Sequence, residues 1–216
     1  MKKAEIVKRY ILLVIGLFFS AFGVAVTRAG ELGVSPISSV ANVLSCKFTA
    51  LSLGVWLIIW NCVLIVGQIA LLRRDFKSIQ LLQIPLSLLF GWFTDLGSLC
   101  VSFIPVDNYI TRLIMVAAGT ILLGFGIALC VIANVVMNSG EAFVKALSDR
   151  LHKSFGNVKI AFDVGCVVLS VALSLILFDL RIVGTREGTV IAAVFTGLVV
   201  KLFTRLLEEP LKKLIL

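Results

Sequence analysis

Amides and carboxylates set inside or beside long apolar runs are the groups through which this chain could do chemistry: Asn61, Asp163 and Glu141. Such groups are costly in hydrocarbon and face a cavity or a partner. A carboxylate desolvated in a helix bundle has its ionised form disfavoured and takes up a proton near neutral pH, which makes Asp163 a candidate proton or cation coupling site. The competing reading is a structural ion pair with Lys159, one turn earlier. Asn61 reads first as an interhelical hydrogen-bond clamp and second as a wall of a binding site. Three further charges read as gate or ion-pair residues. They are Arg28, close to Glu31; Asp95, within Gly91-Trp92-Phe93-Thr94-Asp95; and Lys201, which has the reach to snorkel to an interface.

Two short segments must present these groups. Leu32-Gly33-Val34-Ser35-Pro36-Ile37-Ser38-Ser39-Val40 continues into Ala41-Asn42-Val43-Leu44, too apolar for an ordinary exterior loop and too short to cross a bilayer, which predicts a half-helix. Ser35 is the expected N-cap and Pro36 the first helical residue, where a missing N–H does no harm. Asn138-Ser139-Gly140-Glu141 takes the same place ahead of Ala142-Phe143-Val144-Lys145-Ala146-Leu147. Asn138 or Ser139 would cap this second half-helix, with Glu141 in a first turn whose dipole favours negative charge. Dipping into the bilayer, the two starts would aim their N–H groups at a shared polar chamber. Ser35, Pro36, Ser38, Ser139, Gly140 and Glu141 would line it, with Asn61 and Asp163 as walls. The other arrangement lays both half-helices flat on opposite membrane surfaces.

Six apolar runs hold these segments: Tyr10 to Thr27, Leu51 to Leu72, Ile79 to Ile104, Leu113 to Met137, Asn157 to Phe178 and Gly188 to Leu206. Hydrophobic residues make up 60% of the chain and the mean hydropathy is +1.10, far outside soluble composition. Backbone in lipid must satisfy its own hydrogen bonds, so the runs are expected to be helices. The expected fold class is all-α and polytopic, with residues 1–216 forming a single membrane domain. Gly16, Ala21, Phe22, Gly23 and Ala25 recur as Gly119, Gly124, Phe125, Gly126 and Ala128, about 103 residues on. Ser52, Gly54 and Asn61 recur as Ser154, Gly156 and Asp163 at an offset of about 102. Three spans per copy, over residues 10–105 and 113–207, force the copies to enter from opposite sides, a 3+3 inverted repeat. The glycines of the first and fourth spans read as sites of close helix packing. The counterpart of Asp95 is placed after Gly197, at Lys201.

Lys2, Lys3, Lys8 and Arg9 precede the first span, Arg73, Arg74 and Lys77 follow the second, and Lys145, Arg150, Lys153 and Lys159 follow the fourth. Lys212 and Lys213 close the chain after Arg205. A six-span count puts these clusters on one side, so the positive-inside rule places both termini in the cytoplasm. The net charge of +8 is thereby an insertion signal, and no nucleic-acid-binding motif accompanies it. The five cysteines read as small apolar residues, without metal or disulfide spacing. The single histidine, His152, sits in a basic loop where it cannot serve as base to a serine of Gly33-Val34-Ser35-Pro36. No nucleophile-and-base pair, P-loop or dinucleotide fingerprint occurs, so neither an enzyme nor a bound metal or cofactor is expected. The first apolar run is long enough to span, and a cleavable signal is not expected.

Ala21-Phe22-Gly23-Val24-Ala25, Ala29-Gly30-Glu31-Leu32-Gly33-Val34-Ser35-Pro36, Ser52-Leu53-Gly54 and Gly91 through Asp95 resemble the YczE/YyaS/YitT group of bacterial integral membrane proteins. The resemblance covers nearly the whole chain, and its most specific piece is A-x-x-L-G-x-x-P followed by S-x-G. Members frequently show an acidic residue two places after the proline; here that place is Ser38, while the second copy has Glu141 at the matching position. The resemblance implies a multi-pass protein of the bacterial inner membrane, of transporter type, with no substrate to carry over. The functional expectation is a small secondary transporter or exporter of a small anionic or zwitterionic solute. It would work by alternating access, with proton coupling through Asp163 or Glu141. The alternative is a non-transporting scaffold or regulator, or a substrate-binding subunit that needs a separate ATPase. The expected partners are the lipid bilayer, the solute and a second copy in a homodimer.

Overall fold

A computed structural model describes residues 3–215, with side chains over 5–213; Lys2 and the Lys3 side chain lie outside the described residues. The order is α1 (Lys3–Ala29), α2 (Pro36–Lys47), α3 (Leu53–Leu72), α4 (Gln83–Val101), α5 (Tyr109–Ala133), α6 (Ser139–Leu151), α7 (Phe155–Leu177) and α8 (Glu187–Ile215). Two 3₁₀ turns, Arg73–Asp75 and Ser78–Leu82, join α3 to α4. Six of the helices are long and apolar enough to cross a membrane, all but α2 and α6. The last outruns its expected end at Leu206, because α8 continues through an exposed Pro210.

α1 and α5 form the central pair and run antiparallel. Gly16 lies against Gly126 and Cys130, Gly23 against Gly119 and Leu123, and Gly30 against Arg112 and Met115. A helix without Cβ atoms along one face lets a second backbone approach closely, and in lipid such van der Waals contact replaces the hydrophobic drive. A Cβ on Gly23 would overlap the Leu123 backbone, and one on Gly126 would overlap Ser20. α4 packs on α1, and α8 on α5. Edge-to-face rings flank these seams, Phe18 with Phe93 at 5.3 Å and Phe125 with Phe203 at 5.1 Å.

The two half-helices sit where the remaining spans need them. α2 packs on α7 and α3, and α6 packs on α3 and α7. Ser139, first residue of α6, donates to Asn61 Oδ1 at 2.7 Å, near the middle of α3, and Phe143 covers Gly67 further along. Ser39 of α2 lies against the Cys166 carbonyl, near the middle of α7, while Lys47 rests 5.4 Å over the Phe178 ring at the end of that helix. Each half-helix therefore begins beside the middle of a long apolar helix and runs towards one of its ends. The two starts meet, with Ile37 packed onto Gly140.

Ser35 and Asn138 occupy the N-cap positions, but neither side chain caps its helix. The Ser35 hydroxyl donates to Ser38 Oγ at 3.0 Å instead. Pro36 opens α2 as expected.

Overpacking the seam should cost about 1–3 kcal/mol. Gly23→Val is expected to lower the melting temperature of detergent-purified protein, while Gly165→Ala, whose Cβ would meet nothing within 4 Å, leaves it unchanged. Scanning fluorimetry on the two variants checks the contrast.

Candidate functional site

Each half contains a hairpin, α3–α4 and α7–α8, and the two are pinned at their turns in the same way. Gln83 donates to Gln68 Oε1 at 3.1 Å, and Thr185 donates to Ser170 Oγ at 3.0 Å; these pairs stand at the repeat offset of about 102 residues. At their mouths the hairpins differ. Asp95 accepts from Ser52 Oγ at 2.5 Å and from the Gly54 N–H at 2.8 Å, so one carboxylate on α4 caps the start of α3. A carboxylate at a helix N-terminus neutralises orphan N–H groups and the dipole together.

Asp95 is thus neither half of an ion pair nor matched by Lys201. At the same offset its counterpart is Gly197, and Lys201 is an exposed residue one turn further on. Without a carboxylate there, Ser154 makes no side-chain cap, and Cβ atoms on Gly156 and Gly197 would meet nothing. α7 and α8 make at most marginal contact beyond their turn.

Between α1, α5 and the start of α6 lies a cavity of about 180 Å³ lined by Ser20, Ile127, Cys130, Val136, Asn138 and Glu141. It reaches the surface past Val131, Asn134 and Met137, all exposed. Ser20 is 2% exposed and its Oγ has no partner; Glu141 Oε2 is buried and also has none. Asp163 forms the expected pair with Lys159, at 2.6 and 2.8 Å, within electrostatic reach of Glu141. α6 is not among the helices long and apolar enough to span, and burial raises the Glu141 carboxyl above the ordinary carboxylate range, with the Lys159 cation opposing.

The two half-helix starts do not face each other across the expected polar chamber: Ile37 packs directly onto Gly140 there. Of the expected lining, Ser139 and Asn61 bond each other, Ser35 and Ser38 bond each other, and Glu141 alone reaches the cavity. Arg28 does not pair with Glu31: it donates to Ser45 Oγ at 3.3 Å, and Glu31 pairs with Arg112 at 2.9 Å. Both Arg28 and Glu31 line a second cavity of about 530 Å³ at the other end of the bundle, shared with Asn42 and Arg186. A shallow apolar groove of about 880 Å³ on α3, α6 and α7, lined by Trp60, Phe162 and Gly165, holds no carboxylate.

A family model described as a family of unknown function (DUF6198) matches residues 7–205. The chain belongs to the DUF6198 family. It is 27% identical over 202 residues to a protein of Bacillus subtilis (strain 168) described as "Uncharacterized membrane protein YczE", covering 92% of this chain and 86% of that one. No solved structure matches. The membrane relative and the six apolar helices make this DUF6198 chain a multi-pass membrane protein.

Ser20 escaped the sequence reading because one serine in an apolar run is unremarkable by composition. The available signal was its place between Gly16 and Gly23, on the face that meets α5.

The raised Glu141 carboxyl should stay protonated at pH values where exposed glutamates are ionised. The protonated-carboxyl band in infrared difference spectra is expected to titrate late in the native DUF6198 protein and to vanish in Glu141→Gln. Lys159→Gln removes the opposing cation and should move that titration further up. The Ser139–Asn61 bond should be worth about 0.6 kcal/mol, the average of such bonds between membrane helices. A double-mutant cycle of Ser139→Ala and Asn61→Leu, read by reversible unfolding, measures it.

Proposed function

We propose that this protein is a small secondary transporter of the bacterial inner membrane, built as two inverted three-span halves and working by alternating access. The antiparallel α1–α5 pair and the exchanged packing, α2 on α7 and α6 on α3, support the inversion. The positive-inside rule puts both termini and the α7–α8 mouth in the cytoplasm.

One observation carries the reading: of two hairpins pinned alike at their turns, one mouth is latched by Asp95 and the other stands open. Two related gates in opposite conditions define one state of an alternating cycle, here the cytoplasm-facing one. In the opposite state α7 and α8 would close over Gly156 and Gly197 while the Asp95 contacts part. A carboxylate in the cytoplasm-facing cavity repels free anions, so between anionic and zwitterionic solutes the zwitterionic class fits. Coupling falls to Glu141, with the Lys159–Asp163 pair tuning it.

The Ile37–Gly140 contact favours the second reading, a non-transporting scaffold or ATPase-dependent subunit, because nothing passes a seam that never opens.

Ser52→Cys/Asp95→Cys, in a background with the native cysteines replaced, lets the latch be made covalent. Proteoliposome uptake of a panel of amino acids and alkylamines is expected to stop on oxidation and to return with reductant. Panel-wide absence of reductant-dependent uptake, with a soluble ATPase co-purifying, would establish the second reading.

A further inference from the structure

The cavity by α6 contains two buried oxygens without partners, Glu141 Oε2 and Ser20 Oγ. Buried polar atoms are ordinarily bonded, and an orphan costs about 1–3 kcal/mol. Two orphans lining one cavity, a hydroxyl that can accept and a carboxylate oxygen that accepts once ionised, suit a donor-rich group. The local charge agrees. Glu141, once ionised, stands beside the mutually balanced Lys159–Asp163 pair and leaves one negative charge for a bound cation to offset.

A divalent metal asks for six or more oxygen ligands or several carboxylates, and this cavity offers one carboxylate. A bare monovalent metal ion would leave most of it unused, because about 180 Å³ is roughly six water volumes. Apart from Asn134 and Asn138 the remaining wall is apolar, formed chiefly by Ile127, Val131, Val135, Val136 and Met137. A small organic cation satisfies both parts, its N–H groups on the orphan oxygens and its hydrocarbon on that wall.

The geometry points to a recognition site for a primary ammonium on a short apolar body, held by Glu141 and Ser20 with Asn138 beside them. This rests on the transporter reading for its purpose and deepens it, because the ammonium becomes the feature by which a solute is selected. Ser20 then couples ligand to fold: it lies on the α1–α5 seam against Gly126, so an occupant touches the central helix pair as well as the half-helix. Entry is past the exposed Val131 and Asn134, at the end of α5.

Isothermal titration of the full chain in nanodiscs with n-butylammonium, against butyrate as the shape-matched anion and sodium as the inorganic cation, tests the site. Butylammonium is expected to bind and the other two not. Glu141→Gln should weaken binding at least tenfold and Ser20→Ala about threefold, with melting temperatures in the absence of ligand no lower than the parent's. Ile127→Trp, which fills the cavity and keeps both oxygens, should also abolish binding. Equal binding of butyrate, stronger binding of sodium, or butylammonium affinity untouched by Glu141→Gln would each overturn the proposal. Binding that follows these variants without any flux leaves the site standing and removes the transporter. Flux of a solute indifferent to Glu141→Gln, with no butylammonium binding, removes the site and leaves the transporter.

Discussion

The close antiparallel approach of α1 and α5 is the constraint on which the rest of the structure depends. Lipid supplies no hydrophobic drive between helices, so the bundle must be held by contact between backbones and by a few buried hydrogen bonds. Gly16, Gly23, Gly119 and Gly126 permit the contact, and they also fix the register between the halves to within a residue. Once that register is set, α4 and α8 have their places, and the two half-helices are left to fill the space between α3 and α7. Ser20 is drawn into the same seam. The candidate site is consequently an extension of the packing that holds the molecule together.

A second constraint acts through helix ends. Both half-helices start in the interior, where their first N–H groups lack intrahelical acceptors. Ser35 and Asn138 do not cap them with their side chains, and what ties the start of α6 to its surroundings is a side-chain bond, Ser139 to Asn61. At the mouths of the hairpins the problem has two solutions. α3 begins under the Asp95 carboxylate and is held to α4, whereas α7 begins uncapped and stands away from α8. Asp95, where the equivalent place holds Gly197, is the side chain that keeps the first mouth latched in this arrangement.

How much of this was legible in the sequence follows from which signals are local. Helix number and the two half-helices were readable, because hydropathy and the Ser-Pro or Asn-Ser starts depend on neighbouring residues only. The Lys159–Asp163 pair and the Asn61 clamp were also readable, one from helical spacing and the other from the scarcity of amides in lipid. Arg28 was paired with Glu31 by nearness in sequence, yet the turn after α1 puts Glu31 at positive φ, and it meets Arg112 instead. The counterpart of Asp95 was sought among charges, at Lys201, when the repeat offset leads to a glycine. The chamber was drawn at the helix starts from their dipoles, but the dipole does not show that Ile37 fills the gap. Cavities are sums over distant residues, and Ser20, Cys130 and Glu141 share one only because α5 turns back through Asn134–Asn138.

The half-helix also explains how a carboxylate can be kept at such a place. Burial opposes the charge on Glu141, and in the middle of a continuous span nothing but a paired cation would offset that. In the first turn of a broken helix, free N–H groups and the dipole favour negative charge by about 0.3–1 kcal/mol, more where partly buried. The Lys159 cation adds a further, distant pull, its own partner being Asp163. Each contribution is too small to lock the carboxylate into one state, and none occupies its second oxygen. A continuous helix would have demanded full pairing; the break allows a carboxylate that is tolerated when empty and satisfied when a cation or a proton arrives.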